Sequence, residues 1–123
     1  MWGLYPCAYR CSDPYKHDVR VTVHPTGTEY ATVKNVSGKA LNLEGYRLTA
    51  GVYGYPFPAG AVLRPGEVLR VDVRGDPAED QPLRKFWGLD QFIFKNDGGS
   101  ARVTTFNDIV LACRAWGSGS CHN

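Results

Sequence analysis

The sequence has no long apolar run and no strong excess of charge of either sign. No segment approaches the roughly 20 consecutive apolar residues that span a bilayer, and residues 1–6 lack the charged segment and apolar core of a signal peptide. We therefore predict no membrane insertion. Fourteen Lys and Arg against twelve Asp and Glu leave a net charge of +2, which argues against a strong field for a polyanionic partner.

The composition is that of an ordinary compact protein. The 123 residues are 43% hydrophobic and 21% charged, whereas a disordered chain has few apolar residues and a marked charge imbalance. We predict a single domain overall, with a cysteine-bearing N-terminal segment over 1–18, a β-sandwich over 19–117 and a tail over 118–123. The sequence leaves the oligomeric state open.

Short segments of alternating polarity predict the strands. Residues 19–23 alternate Val with Arg or Thr, and Tyr30–Asn35 alternates again after a turn at Pro25. Further strand signals cover 41–48, 67–74, 91–95, 101–105 and 109–116, with turn residues between them. Many short strands without a helix of usual length favour an antiparallel sandwich.

Three local patterns refine this prediction. The prolines in 55–58 place that segment at a sheet edge, because proline cannot donate to a ladder on both sides. Asp76 and Pro77 fit the start of a helix that Pro82 limits to about one turn. In the last strand, simple alternation predicts Leu111 on one face and Ala112 and Trp116 on the other.

The four cysteines lie near the two ends of the chain. Cys7 and Cys11 precede the first strand signal, and Cys113 and Cys121 lie in the last strand and the tail. An even count in a small loop-rich chain favours disulfides and an oxidising compartment, with three possible pairings. We expect them to join the two termini, and we expect the protein to be secreted or on the cell surface, the alternative being cytoplasmic.

Metal and catalytic chemistry are the competing interpretations. Cys7, Cys11, Cys121 and His122 are suitable zinc ligands, but only the first two have the spacing of a structural zinc site. Asn96, Asp97 and Asp108 offer oxygen ligands for calcium without the pattern of an EF-hand. His17, His24 and His122 have no nucleophile at an evident spacing. We predict no metal, no cofactor and no catalytic residue.

A set of spaced motifs occurs in the order of the predicted strands: 30–35, 41–48, 55–60, 63–67, 92–104 and 106–110. In this order they resemble the lamin tail domain, over about residues 20–117. The resemblance implies an all-β fold, an immunoglobulin-like antiparallel β-sandwich with, here, one short helical turn. It also implies a docking module of the kind found in secreted or surface proteins, without catalytic residues. The cysteine-bearing ends depart from the family pattern.

Two groups of residues are candidates for binding. In the loop 51–57, Tyr53, Tyr55 and Phe57 lie among glycines, where exposed rings could bind a sugar or a protein, or could instead plug the sandwich edge. Arg84 and Lys85 precede Phe86 and Trp87, and could join Arg64, Arg70, Arg74, Lys95 and Arg102 on a nucleic-acid surface. We predict a non-catalytic module for a protein partner, the alternatives being a nucleic-acid or carbohydrate binder and a small hydrolase.

Overall fold

The computed structural model describes residues 18–91, 93–94, 97–105 and 109–121. These residues form strands and one turn of 3-10 helix over Pro77–Glu79. The strands are β1 (Val19–His24), β2 (Tyr30–Asn35), β3 (Leu41–Asn42), β4 (Arg47–Ala50), β5 (Tyr53–Pro56), β6 (Val62–Leu63), β7 (Val68–Asp72), β8 (Arg84–Phe86), β9 (Gly98–Thr104) and β10 (Val110–Gly117). Within the described residues, the chain contains no helix with the length and apolar character needed to cross a bilayer.

Two four-stranded sheets carry the fold. The first sheet has the strand order β1, β2, β7, β8, and the second sheet has the order β10, β9, β4, β5. Strands β3 and β6 form a separate antiparallel pair. The pairings are antiparallel except for β7 and β8, which run parallel.

The core lies between the two sheets and follows from the alternation of the sequence. Val19 and Val21 on β1 and Ala31 and Val33 on β2 are buried, while Arg20 between the two valines is exposed. One buried cluster joins these residues to the inward side chains of β4, β7 and β9. The predicted all-β sandwich with one short helical turn is confirmed.

Two local predictions are also confirmed. The Asp76 side chain accepts a hydrogen bond from the Ala78 amide at 2.9 Å and so caps the 3-10 turn, with Pro77 at its start. Strand β5 ends at Pro56 and is the edge of the second sheet. Both features depend on the backbone preferences of single residues, namely the proline ring and the capping carboxylate, and so can be predicted from the local sequence.

The strand predicted over 91–95 is wrong for the described residues Gln91, Ile93 and Phe94, which lie outside the strands. The Glu29 carboxylate, which is buried, accepts from the amides of Ile93 at 2.8 Å and Phe94 at 3.3 Å. A side chain thus satisfies the amides that a neighbouring strand would otherwise pair. The strand next to β7 is β8, which alternation did not predict.

The predicted faces of the last strand are wrong at its start. The pairing of β10 with β9 shifts register between Val110 and Ala112, so that Leu111 is an extra residue in the ladder. Leu111 is buried, and Ala112 and Trp116 also pack against the core. A β-bulge explains this, because one inserted residue changes the side to which the following residues point.

Candidate functional site

The three aromatic residues of the loop 51–57 have different environments. Tyr55 and Phe57 are 8% and 3% exposed and belong to the core. Their rings meet edge to face with centroids 5.7 Å apart, and Trp87 packs 5.8 Å from the Tyr55 ring. Tyr53 is half-buried at the start of β5, and its hydroxyl accepts a hydrogen bond from Gln91 Nε2 at 2.7 Å. Of the three rings, only that of Tyr53 therefore lies at the surface.

The phenol of Tyr55 is held in its neutral form. Burial raises its pKa from 10.0 to about 12, and the nearby negative charge of Asp80 adds to the rise. A phenolate in this position would lose hydration and would also be repelled by the Asp80 carboxylate. Tyr55 thus acts as a core side chain with a polar tip.

An apolar cleft lies at the end of the second sheet, next to Tyr53. We call it the end cleft. Its volume is about 430 Å³, and its lining residues are Ala50, Gly51, Val52, Tyr53, Ile93, Gly98, Gly99, Ser100 and Trp116. Val52, in the turn between β4 and β5, is 93% exposed. The end cleft therefore combines aromatic walls with an apolar side chain that projects into solvent.

Glycine leaves the space that Trp116 occupies. Gly99 on β9 pairs with Trp116 on β10, and a Cβ atom at Gly99 would lie 2.8 Å from the indole ring. The same indole packs edge to face against Phe94, with centroids 5.4 Å apart. Any larger residue at Gly99 would displace the ring that forms one wall. Sequence reasoning missed Trp116 and Val52, although two adjacent glycines in a strand were a signal of close packing.

The C-terminal tail lies along the start of β9. The Ser118 amide donates to the Asp97 carbonyl at 2.9 Å, and the Gly119 amide donates to the Trp116 carbonyl at 2.9 Å. A Cβ atom at Gly119 would collide with the backbone of Gly99. The tail is therefore packed directly behind the strand that lines the end cleft.

A disulfide between Cys113 and Cys121 closes this tail, with Cα atoms 5.8 Å apart. The expectation that the cysteines join the two termini is wrong for these two, because they bond to each other within the C-terminal region. Cys7 and Cys11 lie outside the described residues, as do His17, Asn96, Asp108 and His122. The disulfide thus fixes the C-terminal end of the chain next to the end cleft.

The predicted cations Arg84 and Lys85 alternate on β8. The Arg84 guanidinium donates to Asp72 at 3.2 and 3.3 Å, and Arg70 donates to the same carboxylate at 2.9 Å with each of two nitrogens. Lys85 is half-buried and pairs with Val71, an inward-facing residue. Of the two predicted residues, the structure places Arg84 beside Arg70, on the outer side of the first sheet.

Asp72 is the centre of this group. It is 3% exposed. Burial alone would raise the pKa of its carboxyl, but the hydrogen bonds and charges of Arg70 and Arg84 together lower that pKa below its ordinary value. Asp72 is therefore an anion that both guanidiniums share.

A second, more polar hollow lies where the first sheet meets the turn after β1. Its volume is about 720 Å³. Its carboxylates include Glu29, Asp72 and Asp76, which bind backbone amides or arginines of the protein itself. Among the described residues, no three His, Cys, Asp or Glu side chains form a group that could hold a metal ion. The end cleft is accordingly the better candidate for binding an external group, because ligand sites are cavities with mostly apolar walls.

Comparison with known proteins adds no relative from which a role could be transferred. No protein-family model matches the chain, and no curated protein matches its sequence.

Proposed function

We propose that the protein is a non-catalytic interaction module that binds a protein partner at the end cleft. The observation that carries the proposal is Val52, which is 93% exposed at the rim of an apolar cavity walled by Tyr53 and Trp116. Aromatic residues and apolar side chains at a concave site are typical of the energetic centre of protein interfaces. The site would hold a large apolar side chain of the partner.

The sheet edge favours this mode over strand addition. Strand β5 lies at the edge of the second sheet, where a partner strand could in principle pair with it. Pro56 has no amide hydrogen, and β5 has only four residues. A partner would therefore gain few backbone hydrogen bonds at this edge, so side-chain insertion into the end cleft is the stronger interaction.

Two further observations support the proposal and its setting. The lamin tail resemblance implies a docking module, although a shared fold does not by itself determine function. The Cys113–Cys121 disulfide favours an oxidising compartment, so we place the protein outside the cell or on its surface. A rigid sandwich that presents a loop and a cleft at one end is suited to binding a partner without catalysing a reaction.

A peptide selection tests the proposal. A phage-displayed library would be selected on the full chain, and the affinity of each enriched peptide for the Val52→Asp variant would then be measured. Because Val52 is exposed, the variant should keep the melting temperature of the wild type. We expect enriched peptides to contain an aromatic or large apolar residue, and to shift the amide resonances of Tyr53, Ser100 and Trp116.

Val62→Asp is the matched control, because Val62 is 45% exposed on β6 and does not line the end cleft. The selected peptides should bind this variant as they bind the wild type. Enrichment of no peptide, or peptides that bind Val52→Asp equally well, would refute the proposal.

A further inference from the structure

The outer face of the first sheet concentrates the positive charge of the chain. Alternation places four cations there, one from each strand: Arg20 on β1, Lys34 on β2, Arg70 on β7 and Arg84 on β8. With Asp72 they sum to +3, whereas the other seven cations and nine acids among the described residues sum to −2. The net charge of +2 therefore conceals a marked asymmetry, and we call this surface the cationic face.

Arg20 and Lys34 are directly opposite each other in the pairing of β1 with β2. Both are exposed. Within the described residues, neither forms an ion pair. Like charges at opposite positions destabilise a strand pair, and an anion bound between them would relieve that repulsion. This pair is thus suited to an external carboxylate.

Arg70 and Arg84 form a second pair on the same face. Their register positions on β7 and β8 are opposite, and their side chains remain 33% and 46% exposed. Each gives two nitrogens to Asp72. A guanidinium has five N–H donors, so both retain donors for a second anion, and Asp72 fixes their orientation in advance.

The Tyr30 and Phe86 rings on this face each have an arginine against them, with the Arg84 guanidinium 5.3 Å from the Phe86 centroid. The Tyr30 ring lies between His24, stacked at 4.8 Å, and the Arg70 guanidinium, 3.8 Å from the ring centroid. Stacking of nucleic-acid bases needs open ring faces. Between the cation pairs lie Thr22 and Thr32, whose hydroxyls bond to each other. The centre of the face thus offers hydroxyl groups in place of a base platform.

The cationic face also lacks the apolar centre of a protein interface. Among its described residues, the exposed large apolar side chain is Val68, at 40%. Protein interfaces take most of their affinity from buried aromatic and apolar anchors. A surface of cations and hydroxyls instead complements a polymer that carries carboxylates and sugar hydroxyls. The disulfide favours an extracellular location, where acidic polysaccharides occur.

We propose that the cationic face binds an extended acidic polysaccharide. Carboxylates of the polymer pair with the cations, and its hydroxyls bond to the threonines; the residues are Arg20, Lys34, Arg70, Arg84, Thr22 and Thr32. With strands about 4.8 Å apart, the four strands present a surface wide enough for several sugar rings. This surface is separate from the end cleft, so either proposal can fail without the other.

Binding to immobilised polygalacturonate tests the proposal, with neutral dextran as the reference polymer. The full-length wild type should bind polygalacturonate at low salt, bind dextran weakly, and lose affinity as salt rises. The double variant R20Q/K34Q should weaken binding roughly tenfold, because it removes one cation pair. Its melting temperature should not fall, since two opposed like charges are removed.

Arg114→Gln is the matched control for a single charge, because Arg114 is exposed on β10 of the second sheet. It should change affinity by less than about twofold, and Arg20→Gln by more, since only the latter cation would contact the polymer. Thr22→Val should weaken binding to polygalacturonate but not to polyglutamate, because polyglutamate has no sugar hydroxyls. Equal losses in Arg114→Gln and Arg20→Gln, or tighter binding to single-stranded oligothymidylate than to polygalacturonate, would overturn the proposal.

Discussion

The cationic face and the end cleft show two ways in which one sandwich builds a surface. On the cationic face, regular strands hold the side chains, and Asp72 on β7 binds Arg70 of its own strand and Arg84 of β8. At the end cleft, glycines create the space and the covalently closed tail supports the strand behind it. The first surface depends on charge and the second on shape.

This difference has a physical consequence for how each surface can be changed. Charged residues on regular strands can be replaced singly, because each is held by its own position in the ladder. The end cleft depends on close backbone contact, so a single methyl group can deform it. Mutations should therefore separate the two surfaces cleanly.

The largest expected effect comes from removing the shared anion of the cationic face. Asp72→Ala leaves Arg70 and Arg84 close together without a counter-charge, and should lower the free energy of unfolding by about 2–3 kcal/mol, which allows for the partial exposure of both arginines. Chemical denaturation with urea would measure this loss. The end cleft should be unaffected, as judged by the amide resonances of Ser100 and Trp116.

The same variant has a pH signature. Because the pKa of Asp72 is lowered in the folded state, its contribution is present above the ordinary value of 3.8 and is lost as the pH falls below it. The stability difference between wild type and Asp72→Ala should therefore shrink in acid. A difference that stays constant down to about pH 2 would contradict the assignment of Asp72 as a buried anion.

The second effect concerns the end cleft. The double variant C113A/C121A releases the tail from a loop with a sequence separation of 8 and should lower the free energy of unfolding by about 2 kcal/mol. Peptides selected on the end cleft should bind it more weakly, because the tail packs behind β9. Polygalacturonate binding should stay unchanged, and a parallel loss there would show that the two surfaces are coupled.

The smallest expected effect on stability is that of Tyr55→Phe, which tests whether Tyr55 belongs to the core or to the end cleft. Tyr55→Phe should change stability little at neutral pH, since the hydroxyl lies at the end of a core ring. In the wild type, the raised pKa means that stability falls as the pH rises from 10 toward 12. The variant should therefore gain about 1.4 kcal/mol relative to the wild type at about pH 11.

Thermal denaturation of both proteins across this pH range measures the difference. Tyr53→Phe serves as the control. Of the two tyrosines in the loop 51–57, Tyr55 is buried and Tyr53 is only half-buried. Equal behaviour of Tyr55→Phe and Tyr53→Phe would contradict the separation of the core from the end cleft.

Sequence reasoning succeeded where the controlling interaction is local. Val19, Val21, Ala31 and Val33 repeat every second residue and are buried for that reason. Asp76 caps its turn through its own side chain. Sequence reasoning did not find β8, because three residues are too few to show an alternating pattern and their partner in β7 lies more than ten residues away in the chain.

The candidate site was only partly predictable. The loop 51–57 was identified, and Tyr53 borders the end cleft, but Tyr55 and Phe57 are core residues. A sequence cannot distinguish an exposed ring from a buried one where glycine and proline interrupt the alternation. Trp116 was also missed, because its place depends on the bulge at Leu111.

The sequence by itself determined the class of fold and which residues of β1 and β2 face the core, since alternation acts within a few residues. The tertiary structure alone decided which distant residues meet: Asp72 with Arg84, Gly99 with Trp116, and Cys113 with Cys121. These contacts depend on strand order and register. Both candidate surfaces are built from such contacts, which is why function lay beyond the reach of local patterns.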